Sequence, residues 1–224
     1  MEQARKLFSV LTVALTCPQL PLEERVRKFY ATLGPCVLWN SGCWVPSCHV
    51  SQMLCAQESR WLRRLLREPK GDDEEWVKWL RRTKKKAHRV RVGLRLPSIW
   101  HTALMGIHGW AGHLMRRGQS HPGHDLVTWR GACWWEDTKT AAQAGLLTDW
   151  RHPSTNWARG FEAALVEWYG PVWFTFAFAD RDEWRARSWH FVAWANDKWG
   201  GPQWRGCRLR LRFARPHAPW GDLE

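Results

Sequence analysis

The spacing of apolar and polar positions predicts a helical front and a strand-like back. Behind Arg5-Lys6 comes an apolar run, Leu7-Phe8-Ser9-Val10-Leu11-Thr12-Val13-Ala14-Leu15. A secretory leader wants a basic start and small residues at its cleavage site. Glu2 and Leu15-Thr16-Cys17 suit a first helix packed on the domain better. Residues 21–35 carry Pro21 at the first turn, then Glu23 and Glu24, then Arg25, Arg27 and Lys28, and they end on Gly34-Pro35. That order of signals predicts a helix, with Leu22, Val26, Phe29 and Leu33 on its inner stripe. Residues 36–50 read as an irregular connection. Residues 52–67 predict a helix with Leu54, Trp61, Leu62 and Leu65 inward. Asp72 and Glu75 have the spacing of a capping box and predict a helix over 72–86.

From residue 89 the period changes to two. Arg89-Val90-Arg91-Val92-Gly93-Leu94-Arg95-Leu96 alternates base and aliphatic, the pattern of a half-buried strand with a cationic outer face. Residues 208–213 repeat it, and 126–135, 172–179 and 187–195 also read as strands. Asp180-Arg181-Asp182-Glu183 is placed to turn 172–179 back on 187–195 as a hairpin. One helix interrupts at 154–169, with Trp157, Phe161, Leu165 and Trp168 on a stripe that ends before Gly170-Pro171. The predicted fold is therefore mixed α/β (α+β). A helical N-terminal region, 1–87, precedes a Trp-rich region, 88–224, with a mostly antiparallel sheet of about five strands and the inserted helix. Both belong to one compact unit.

Composition adds two unusual features. Trp supplies 20 of the 30 aromatic residues, and Arg supplies 25 of the 34 bases. The formal net charge is +13, and nine of those charges fall in residues 59–95, where 14 Lys or Arg meet five acids. Such a density is the electrostatic footprint of a polyanion binder, because each cation placed on a phosphate releases condensed counterions. Arg63, Arg64, Arg67, Lys84, Lys85, Lys86, Arg89, Arg91 and Arg95 are the candidate nucleic-acid contacts. Arg both stacks on bases and chelates phosphate, and Trp offers sequence-tolerant stacking. No apolar run approaches the roughly 18 residues of a membrane span.

The motifs of familiar catalysis are missing. The chain has no Gly-rich phosphate loop followed by Lys-Ser/Thr, no G-x-S-x-G, no H-E-x-x-H and no C-x-x-C. No catalytic residue or cofactor is assigned; an unfamiliar enzyme would need a cleft joining dispersed groups such as His113, His124 and Glu136. Seven cysteines without tight pairing suit a reducing compartment. Cys36, Cys43, Cys48, His49 and Cys55 lie within 20 residues, and His101, His108, His113, His121 and His124 within 24, near Cys133. Structural zinc prefers ligand pairs two to four residues apart. These spacings fit poorly, so no metal is assigned and the cysteines read as small core residues.

Several short blocks, taken in order, carry a family resemblance. They are Arg5-Lys6-Leu7-Phe8-Ser9-Val10-Leu11 with Leu20-Pro21 and Glu24-Arg25; Arg89 to Leu96 with Ile99-Trp100-His101; Trp129-Arg130-Gly131-Ala132-Cys133-Trp134-Trp135-Glu136-Asp137; Trp168-Tyr169-Gly170-Pro171; and Gly201-Pro202-Gln203-Trp204-Arg205-Gly206-Cys207. Their order over about 5–207 resembles the virion infectivity factors (Vif) of lentiviruses, and most the feline-type branch. The resemblance implies a non-enzymatic viral accessory adaptor of the host cytoplasm, also carried in the virion. Its partners would be a host cytidine deaminase, an Elongin–Cullin ubiquitin ligase and viral RNA. The family's Ser/Thr-Leu-Gln-x-Leu-Ala Elongin box does not occur in this sequence. Trp61, Leu62 and Leu65 are the candidate partner anchors in its place, since a helix docking in a groove needs apolar residues at such spacing; the alternative is that they fill the protein's own core. A basic nucleic-acid-binding accessory protein without ligase recruitment is the alternative function.

Overall fold

The computed structural model describes residues 2–117, 156–170 and 173–200. Among them run eight α-helices: α1 (Glu2–Leu15), α2 (Leu22–Val37), α3 (Cys48–Leu66), α4 (Trp76–Gly93), α5 (Ile99–Arg117), α6 (Asn156–Tyr169), α7 (Trp173–Ala179) and α8 (Arg181–Trp199). A 3-10 turn, Ser41–Cys43, links α2 to α3. The described residues are 80% helical and contain no strand, so the expected α/β fold with its five-strand sheet is overturned for this part of the chain. Two of the expected strands, 126–135 and 208–213, lie outside the described residues.

Each misread strand has a physical cause. The expected strand 89–96 is the last turn of α4 and its exit. Val90 and Leu94 are four residues apart, so a helix turns both inward as well as a strand would. Continuing an existing helix costs far less than nucleating new structure. Arg91 is only 5% exposed; it donates to the Leu96 carbonyl at 3.0 Å and lies 3.2 Å from Nδ1 of His88. The helix ends at Gly93 with Leu94 as its C-cap, and Arg95 follows with a left-handed φ of 56°, two residues before Pro97. The expected hairpin at 180–183 is instead the start of α8. The Asp180 carboxylate accepts from the amides of Asp182 and Glu183 at 2.7 and 3.0 Å, which satisfies donors that a helix start leaves unpaired. Trp184, Ser188, Phe191, Val192 and Ala195 then form the buried stripe of α8. Over 173–179 the expected strand is instead the helix α7, which buries Trp173 and Ala177 one turn apart.

Several helix boundaries also move. α2 passes through Gly34-Pro35 to Val37, and the Leu38 amide closes it on the Gly34 carbonyl at 2.9 Å. α4 begins at Trp76, not at Asp72, because the Glu74 carboxylate folds back onto the Gly71 amide at 3.2 Å. The division expected at 87/88 falls inside α4. Where a helix inserted in the sheet was expected over 154–169, α6 covers Asn156–Tyr169 among other helices, with Phe161 and Leu165 buried and Trp168 half-buried.

One buried cluster joins residues from α1 to α8. Phe8, Phe29 and Trp61 form its N-terminal part; Phe8 stacks on Trp61 at 5.5 Å and Phe29 meets it edge-on at 5.9 Å. α5 runs through the middle, burying Ile99, Trp100, Ala103, Leu104, Ile107, Ala111 and Leu114, against α3, α7, α8 and the 3-10 turn. Its glycines permit that closeness. A Cβ on Gly112 would sit 2.4 Å from Nε1 of Trp184. That indole is fixed: it stacks on His108 at 4.0 Å and donates to the His108 carbonyl at 2.9 Å. Gly112→Ala is therefore expected to cost about 3 kcal/mol by overpacking, seen as a lower urea midpoint. An unchanged midpoint would mean that Trp184 can swing aside freely.

Candidate nucleic-acid interface

α4 puts the densest charge of the chain on a single helix. At 3.6 residues per turn, Thr83, Ala87 and Arg91 share the buried side. Lys78, Arg81, Arg82, Lys85 and Arg89 share the opposite side and line a shallow, open cleft of about 310 Å³. Arg81, Lys85 and Arg89 are four residues apart, so successive cations climb the helix by about 6 Å. This row comes from helical geometry, whereas sequence reasoning placed the cationic face on a strand.

Of the acids near the row, Glu68 and Glu74 are committed to other cations, and Glu75 pairs with Lys78 at 3.5 Å. Arg82 holds Glu74 with two bonds, from Nε at 2.9 Å and from Nη2 at 2.8 Å, and it reaches Glu68 through Nη1 at 2.8 Å. Lys86 also pairs with Glu68. The Trp79 indole donates to the Glu68 carbonyl at 3.1 Å. These bonds pin the segment after α3 against α4. The Arg82 hydrogen bonds hold the Glu74 carboxyl at about 2, well below the usual carboxylate range, and the same contacts raise the Arg82 guanidinium. Arg82 and Lys86 are therefore clamps, while Arg81, Lys85 and Arg89 stand exposed beside them.

The other candidates scatter. Lys84 is exposed near His88; burial lowers the His88 pKa, and Arg91 and Lys84 lower it further. Arg91 lies inside the protein, so it leaves the contact set. Arg95 is exposed at the helix exit. Near the end of α3, the Arg64 guanidinium stands 5.8 Å from the centre of the Phe8 ring of α1, and Arg67, just past α3, donates to the carbonyl of Thr16, just past α1, at 2.9 Å. Arg63 is partly buried, and that burial lowers its pKa. Trp61, Leu62 and Leu65 are all buried, which leaves them unable to anchor a partner in this fold. Sequence reasoning missed Lys78, Arg81 and Arg82. The signal was the four-residue spacing of 81, 85 and 89, visible only if 76–93 is read as one helix.

Among the described residues, no group of three or more His, Cys, Asp or Glu side chains could hold a metal ion. His121, His124, Cys133, Glu136 and Cys207 lie outside them. No described helix is long and apolar enough to cross a membrane. No protein-family model, curated protein or solved structure matches the chain.

Proposed function

We propose that this protein binds nucleic acid by its phosphates, without reading sequence, through the outer face of α4. The observation that carries the reading is the row Arg81, Lys85 and Arg89, beside which Glu68 and Glu74 are taken up by other cations; Lys78, at the foot of the row, pairs with Glu75. Exposed Arg and Lys at helical spacing contact phosphates along a backbone. Arg also reads guanine edges where its helix is seated in a major groove; on this reading α4 lies along the backbone. Under the adaptor reading Trp61, Leu62 and Leu65 would face a ligase, and their burial favours the polyanion reading over it.

Salt dependence supplies the test. Each single-strand phosphate contact contributes about 0.7 to the slope of log affinity against log salt. The triple variant Arg81→Gln/Lys85→Gln/Arg89→Gln is expected to lower that slope by about 2. Arg82→Gln/Lys86→Gln, which removes cations already paired with carboxylates, is expected to leave it almost unchanged. Equal losses in the two variants would point to diffuse net charge and not to this face.

A further inference from the structure

A second cationic surface lies where the end of α5, α7 and the start of α8 meet. Arg116 donates from Nη1 to the Ala177 carbonyl at 3.0 Å. Arg181 lies close enough to Arg116 to lower its pKa, after burial as the larger cause. Arg181, Arg185 and Trp189 follow each other at four-residue spacing and so stand in one row on α8. All three are exposed. Phe178, just ahead of that row, is 66% exposed, and Trp189 is 41% exposed.

Among the described residues, two of the nearby acids are taken up elsewhere. The Asp180 carboxylate caps α8, and Glu183 is paired with Arg187. Asp180, Asp182 and Glu183 are all exposed; with the first taken up by the helix cap and the last by Arg187, Asp182 is what remains, among these three, beside Arg181. Single exposed aromatics are ordinary on protein surfaces. Two of them on either side of an arginine pair form a different pattern, that of a strand-binding surface with stacking platforms.

We infer that Phe178, Arg181, Arg185 and Trp189 form a second contact for nucleic acid, specific for unpaired strands. Unpaired bases stack on the Phe178 and Trp189 rings, and phosphates sit on Arg181 and Arg185. Duplex bases already stack on one another and offer no free ring face. The inference rests on the polyanion reading of α4 and narrows it from nucleic acid in general to single strands.

Fluorescence anisotropy at fixed salt separates the two claims. The probes are a labelled oligothymidylate, an abasic strand with the same number of phosphates, and a duplex. The unaltered protein is expected to prefer oligothymidylate to the abasic strand by about tenfold or more, the value of one to two stacked bases. Phe178→Ala/Trp189→Ala is expected to erase that preference and to leave abasic binding unchanged. Arg181→Gln/Arg185→Gln, which keeps both rings, is expected to weaken both strands and so provides a second route if the aromatic variant unfolds. Arg81→Gln/Lys85→Gln/Arg89→Gln is expected to weaken all three probes. Equal binding of thymidylate and abasic strands by the unaltered protein would overturn the stacking surface alone. Failure to bind any probe would overturn the α4 reading as well.

Discussion

Trp61→Ala is expected to destabilise the fold by about 3–5 kcal/mol, the usual range for deleting a buried indole. The indole is only 2% exposed. It fills the space between α1, α2 and α3, with Phe8 stacked on one face and Phe29 against its edge. The loss is dispersion and burial on three sides, and Leu62 and Leu65 cannot collapse into the gap without dragging α3. Each kcal/mol shifts the melting temperature of a chain this size by about 2–4 °C, so a fall on the order of 10 °C is expected. Trp61→Phe should recover part of it. The same variant decides between two uses of the residue: an exposed partner anchor would leave the melting curve alone and weaken only an interaction.

The front of the chain was legible because its signals agree. In α2 the apolar stripe and the order of acids before bases all point to a helix; Val26, Phe29 and Leu33 are buried as their spacing implies. In α3, Ser47 accepts from the Val50 amide at 3.2 Å, and the predicted inward residues Leu54, Trp61, Leu62 and Leu65 are buried. The back was not legible because two periods share positions there. A repeat of two places a residue at every fourth position, which is also one helix turn. Val90 and Leu94 satisfy both, and only the continuation of α4 from upstream decides. At 180–183 the acids are equally ambiguous: Asp-x-x-Glu serves a turn or a helix N-cap. Trp173, Trp184 and Trp189 have high strand propensity, yet such propensity yields to tertiary packing, here the burial of Trp173 and Trp184 against α5 and α6.

Charge density in the sequence singled out the segment that forms α4, but not the face of α4 on which the exposed cations stand. Counting bases singled out Lys84, Lys85 and Lys86, which point in three directions because neighbours on a helix are about 100° apart. Of these only Lys85 joins the row. Pairing information was also hidden: Glu68 and Glu74 are remote in sequence from Lys86 and Arg82, and only the fold back of the segment after α3 brings them together. Arg91 is held inside by the Leu96 carbonyl, a partner brought into place only once the helix ends at Gly93 and the chain turns at Arg95.

Acidification is expected to loosen the fold, and the buried polar groups set its direction. Burial pushes His108 down to about 3 and His101 down to about 4, both from 6.5. The unfolded chain takes up protons that these folded imidazoles refuse. Their contribution is therefore full above pH 6.5 and is lost as pH falls toward their folded values. Each removes about 1.4 kcal/mol per pH unit in that window. His88, also lowered by burial, acts the same way. Glu58 acts oppositely. It is buried, takes hydrogen bonds from the Tyr30 hydroxyl and, at 3.3 Å, from the Ile99 amide, and its pKa is raised by burial against the lowering effect of those bonds and of Arg91. A carboxyl that keeps its proton in the fold contributes stability that is full below 4.5 and is lost as pH rises, so it offsets part of the histidine effect. Urea unfolding at pH 7, 6 and 5 should show stability falling with pH. Glu58→Gln keeps an acceptor for Tyr30 and removes the opposing titration, so its profile should be steeper by up to about 1.4 kcal/mol per unit. A variant profile parallel to the native one would mean that the Glu58 carboxyl is ionised inside the fold, balanced by Arg91.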